Sequence, residues 1–96
     1  MKIIAIEKEV PGVNYNAFAP FLKDEASVLW ELFRKGIVRE SYFTKDTHEA
    51  VLILECNDET EAKNILDTLP LVRERLIKFK IHALLPYDGY ERLFKQ

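Results

Sequence analysis

The segment EAVLILEC, Glu49–Cys56, is apolar on both faces of any strand it forms: Ala50, Leu52, Leu54 and Cys56 point one way, Val51 and Ile53 the other. Such a strand needs a cover on each side. The rest of the chain shows the pattern of only two helices, and the architecture follows from that shortage.

The first strand is KIIAIEK, Lys2–Lys8, with Ile4 and Ile6 on one side and Ile3, Ala5 and Glu7 on the other. VPGVN then breaks the run, because Pro11 and Gly12 mark a loop. Between Ala17 and Lys35, Phe18, Phe21, Leu22, Leu29, Trp30, Leu32 and Phe33 recur at intervals of three and four, which predicts an amphipathic helix with Trp30 in the core. Pro20 suits its first turn, and Gly36 its left-handed end. IVRESYFT and HEAVLILEC, separated by the turn-forming KDT, read as a β-hairpin. Asp58 and Glu61 have the spacing of a capping box that starts a second helix, and Pro70 is expected to help end it. LIKFKIHALL supplies the last strand, with Ile77, Phe79, Ile81 and Ala83 on one face and Leu76, Lys78, Lys80 and His82 on the other. The closing PYDGYERLF carries Tyr87, Tyr90 and Phe94, too aromatic a tail to lie loose in water, and is expected to dock on the body or on a neighbouring subunit.

The order βαββαβ predicts an α+β, ferredoxin-like domain spanning residues 1–96, with a four-stranded antiparallel sheet in the order 4-1-3-2. Both helices then lie on one face. The other face, on the order of 350 Å² before side-chain relief, is large for an exposed patch on a monomer. A second copy packed face to face across a two-fold axis would cover Val51 and Ile53, giving a dimeric α/β barrel with a cavity between each sheet and its partner.

Composition excludes several classes. Fourteen basic and sixteen acidic side chains, a net charge of −2, do not make a surface that displaces counterions from nucleic acid. No run approaches the ~18 apolar residues of a membrane span, and Glu7, Lys8 and Glu9 interrupt the apolar start that a signal peptide needs. The single cysteine, Cys56, cannot form an internal disulfide, and a cytoplasmic location is the expectation. Three scattered glycines make no phosphate loop, two distant histidines make no zinc site, and the central strands lack the aromatics of an RNA-binding sheet.

From Gly36 to Pro86 the chain resembles the muconolactone isomerase-like family of dimeric α/β-barrel proteins. The resemblance is carried by GIVRESY, with Arg39 after Gly36 and before Tyr42, by LDTLPLV, and by Pro86 after the last strand. It implies a cofactor-independent proton shift on a lactone, without metal or organic cofactor, and assembly of dimers into larger rings. That family places a histidine in the hairpin turn where this chain has Thr47, with His48 one position on. A one-residue offset in a strand changes the face.

Proton transfer needs a base and an acid within reach of the substrate. Glu7, Tyr42 and His48 are the candidate catalytic residues, and Arg39, Glu55 and His82 the candidate ligand-binding residues. Arg39 could grip a substrate carboxylate in bidentate fashion, or pair with Glu40 or Glu55 at the surface. Glu7 and Glu55 read as cavity-facing, yet antiparallel strands carry them to opposite ends of the sheet. Tyr42 could donate its phenol or simply pack; His48 at the hairpin mouth and His82 beside two lysines could titrate near neutrality or stay solvated. Two functions remain: an isomerase acting by proton transfer on a small anionic or lactone-like molecule, and a non-catalytic module for ligand binding or assembly.

Overall fold

The computed structural model describes residues 1–95. Four strands, β1 (Lys2–Glu9), β2 (Val38–Phe43), β3 (Ala50–Glu55) and β4 (Ile77–Leu84), form one antiparallel sheet in the order β2-β3-β1-β4. Helices α1 (Leu22–Arg34), α2 (Glu59–Leu66) and the single turn α3 (Pro70–Arg73) complete the fold. The order is the one expected from the sequence.

Strand alternation decides what lies beneath the helices. Ile3 and Ala5 of β1, Val38 of β2, Leu52 and Leu54 of β3 and Ile77 of β4 are buried, together with Leu32 of α1 and Ala62 and Leu66 of α2. The intervening residues Ile4, Ile6, Val51 and Ile53 lie on the opposite face, which no helix among the described residues covers, and are only half-buried. Burying a side chain of this size is worth roughly 1.5–3 kcal/mol, so one face holds the fold together and the other holds unspent apolar surface.

Local chemistry accounts for the boundaries. Asp58 caps α2 by accepting from Glu61 N at 2.8 Å, while the Glu61 carboxylate accepts from Asn57 Nδ2 at 2.7 Å, one residue before the cap. Gly36 closes α1 with φ of +75°, a conformation that costs a residue without Cβ little. In β2, Arg39 is the extra residue of a bulge between Val38, opposite Leu54, and Glu40, opposite Ile53.

Three expectations are corrected, and a fourth loses one of its two alternatives. The helix expected from Ala17 begins at Leu22, after two short 3₁₀ turns (Tyr15–Ala17 and Ala19–Phe21), because Pro20 sits in the second of these and not in the α-helix. Pro70 does not help end α2 but opens α3, where its missing N–H is not needed. Trp30 is not core: it is 58% exposed and stacks on Phe33 with ring centroids 5.6 Å apart. The inward stripe of α1 is instead Val28, Leu29 and Leu32. Nor does the tail rest on a core, since Tyr87 and Tyr90 are 67% exposed and Phe94 is 81% exposed. A single protomer offers it no apolar seat.

Candidate functional site

One carboxylate is buried beneath the helices, and a second is half-buried at their edge. Glu7 follows Ile3 and Ala5 at the two-residue period of β1, so its side chain enters the face that the helices cover, where it is 8% exposed. Its Oε1 accepts from Ala50 N at 3.0 Å, satisfying a backbone donor at the start of β3. Glu25 precedes Val28, Leu29 and Leu32 by three, four and seven residues, which places it on the inward stripe of α1. It accepts from Leu71 N at 2.9 Å and so ties α1 to α3.

Glu25 and Glu7 are near enough to feel each other's charge. Burial pushes the Glu25 carboxyl above its ordinary range; the Leu71 N–H opposes this, Glu7 adds to it, and Arg73 opposes it again.

Beside Glu7 lies a cavity of about 130 Å³ at the end of the sheet where β1 finishes and β4 begins. Glu7, Glu9 and Ile77 form its floor and side, and the β1–α1 connection covers it with Val13, Tyr15 and Phe18. Gly12 lets that connection turn back, with φ of +82°. The cavity is half open to solvent, mostly apolar, and its charged groups are acidic.

The other sequence candidates are placed elsewhere. Tyr42, Glu55 and His82 stand on the helix-free face, opposite to Glu7, so Glu7 does not look into a sheet-to-sheet cavity as its position in the strand suggested. Tyr42 donates to Glu40 Oε1 at 2.6 Å, which raises the pKa of its phenol. Glu55 pairs with the N-terminal ammonium at 3.0 Å, and that bond lowers its pKa. Arg39 donates from Nε to the Gly36 carbonyl at the far end of the sheet from the cavity. His48 lies in the β2–β3 turn, at the same end as Glu7, with φ of +54° and its ring stacked on Phe43 at 4.0 Å. Among the described residues no group of three or more His, Cys, Asp or Glu could hold a metal ion. Cys56 is buried, and that burial raises its thiol pKa, so it is not poised as a nucleophile.

Sequence reasoning missed Glu25. The signal was available: it is a carboxylate at a core-facing position of a helix, just as Glu7 is one at a core-facing position of a strand.

No family model matches the sequence, and no curated protein matches it. Solved structures do. Muconolactone isomerase superposes with a TM-score of 0.75 over 93% of this chain and 93% of its own, at 14% identity. The chain has the muconolactone isomerase-type fold. A second structure of this fold is the 5-chloro-2-hydroxyhydroquinone dehydrochlorinase of Burkholderia phenoliruptrix AC1100 in complex with 2,5-dihydroxybenzoquinone. It gives a TM-score of 0.72 over 93% of this chain and 98% of its own, at 16% identity. No helix among the described residues is long and apolar enough to cross a membrane.

Proposed function

We propose that the chain acts as a homodimer and moves a proton on a small, lactone-like or otherwise weakly charged organic molecule, without a cofactor, using Glu7 and Glu25. The observation that carries this reading is Glu7, a buried carboxylate on the wall of a cavity, with the half-buried Glu25 near enough to feel its charge. Burying the Glu7 carboxylate costs desolvation that its one backbone hydrogen bond only partly offsets, a cost that a role in chemistry would account for.

Glu7 stands at the cavity wall and takes the proton from a carbon acidified by a neighbouring carbonyl; the electron pair moves onto the carbonyl oxygen as a dienolate, and Glu7 returns the proton to the far carbon, shifting the double bond. Glu25, on the inward stripe of α1, holds its own proton more readily than an ordinary carboxyl, chiefly because of its burial and with a contribution from the charge of Glu7. The Ala50 and Leu71 N–H groups fix one oxygen of each acid, leaving the second oxygen of each for proton traffic. Acidic walls favour a neutral ring next to Glu7 over a carboxylate. The neighbours' names give the reading its substrate class: one is an isomerase of muconolactone, the other a dehydrochlorinase holding a small quinone.

The test is the shift of the double bond in an uncharged unsaturated γ-lactone, followed by ultraviolet absorbance as it enters conjugation with the carbonyl, by the wild-type chain and by Glu7→Gln and Glu25→Gln. Loss of a general acid or base typically lowers the rate about 10²–10⁴-fold. A fall of that size in both variants, with neither melting below wild type, is the expected result.

The second reading is a non-catalytic module, favoured by the fact that each carboxylate satisfies a backbone donor. It predicts no turnover of such lactones by any of the three proteins, with the substitutions changing stability alone.

A further inference from the structure

The cavity beside Glu7 holds more than a proton transfer by Glu7 uses. Glu7 and Glu9 stand two positions apart on β1, so both carboxylates leave the same face of the strand, about 7 Å from one another along it. Glu7 is the deeper of the two, 8% exposed, with Oε1 bonded to Ala50 N and Oε2 without a protein donor among the described residues. Glu9 is exposed at the mouth. To these the β1–α1 connection adds two aromatic rings, the exposed Tyr15 and the half-buried Phe18, tilted at 56° to one another with centroids 5.3 Å apart. Among the described residues no basic side chain lines the cavity, and the rest of its lining is apolar.

Acids and aromatic faces without a counter-charge are the surroundings that suit an organic ammonium ion. The carboxylates attract it by charge, and the negative face of each ring attracts it without needing an N–H to bond to. A hard metal ion fits poorly, because it takes six or more oxygen ligands and the rings supply none to speak of. An anion meets two negative groups. We infer that the molecule on which Glu7 acts carries an alkylated ammonium group, seated at the mouth against Glu9, Tyr15 and Phe18, while its uncharged ring lies inward beside Glu7. This rests on the reaction proposed above and narrows its substrate class to a cationic amine borne on a neutral unsaturated ring. The cavity, about 130 Å³ and half open, takes the ring and leaves the charged head at the opening. The two acids then have separate duties: the buried one moves the proton, and the exposed one, with the rings, holds the substrate by an end remote from the reacting carbon.

Choline probes the ammonium seat alone, and its uncharged isostere, with carbon in place of nitrogen, probes shape alone. Each is titrated into the wild-type chain, Glu9→Gln and Tyr15→Leu while the amide resonances of Gly12, Val13 and Ile77 are followed by nuclear magnetic resonance. Choline should shift these amides in the wild-type chain at millimolar concentration and bind about tenfold more tightly than the isostere. Both substitutions fall on exposed side chains, and each should weaken choline several-fold while changing the isostere far less. Equal binding of the two probes, choline binding that neither substitution weakens, or no shift of these amides with either probe overturns the ammonium seat. Lactone turnover is a separate readout. Turnover of the neutral lactone without choline binding strikes the seat and leaves the reaction standing, whereas choline binding without turnover strikes the reaction and leaves the seat.

Discussion

Glu25 occupies a position on α1 that the helix otherwise reserves for Val28, Leu29 and Leu32. Its carboxyl pKa lies above the ordinary value, chiefly because burial penalises the charged form. An acid whose folded pKa is raised binds more protons in the folded than in the unfolded state between the two pKa values, so its contribution to stability falls as pH climbs through that window. Above the window the full desolvation cost is present; below the unfolded pKa it is absent. Glu25→Gln keeps an oxygen for the Leu71 N–H and removes the charge. It should therefore melt at a higher temperature than wild type at pH 7, with the difference closing below about pH 4. Thermal melts across that range check this, and a variant less stable than wild type at pH 7 would mean that the negative charge is itself stabilising. A gain in stability together with a loss of turnover would mark Glu25 as retained for chemistry.

At the scale of elements, α1 separates what a hydrophobic pattern reveals from what it hides. Its apolar residues exceed what one stripe can bury: Leu22, Trp30 and Phe33 are exposed while Leu32 is buried. Leu32→Ala should cost about 2–5 kcal/mol, the loss of a packed leucine plus its cavity. Trp30→Ala should cost about 1 kcal/mol or less, the worth of its stacking on Phe33. Urea melts of the two variants under dilute, monomeric conditions distinguish them, and equal losses would contradict the exposed position of Trp30. The strands were legible because a two-residue period leaves few choices: Ile3, Ala5 and Glu7 must share a face, and the rungs of the sheet follow from the hairpin. The helices were less so, because large aromatics dominated the reading of α1 and drew attention from Glu25 and Val28. Pro70 was readable as a break but not as the start of α3, since proline both ends one helix and suits the first turn of the next. The candidate site was half legible: Glu7 was singled out, but its companion lies eighteen positions on in another element, and only the packing of α1 on the sheet brings the two together.

The whole molecule is longer than its core requires. The radius of gyration is 15.8 Å and the long axis 59 Å, whereas a compact chain of this length would have a radius of about 12.5 Å. Beyond β4, Leu85, Tyr87, Tyr90, Leu93 and Phe94 are each at least 67% exposed, and Tyr87 and Tyr90 pack edge to face on one another, with centroids 4.9 Å apart. This arm belongs with the open sheet face, because both are apolar surfaces that one protomer leaves uncovered. The areas connect them. A sheet face on the order of 350 Å², even allowing for side-chain relief, falls short of the roughly 800 Å² per partner that stable complexes bury. The arm carries the apolar area that would make up the difference by lying on the neighbouring copy. Deleting residues 86–96 should therefore raise the dissociation constant of the proposed dimer while leaving the far-ultraviolet circular dichroism of the sheet and helices in place. Sedimentation of the truncated chain checks this at several concentrations. A truncated chain that dimerises as tightly as the full one, and melts at the same temperature, would show that the sheet faces alone suffice and that the arm serves something other than this assembly.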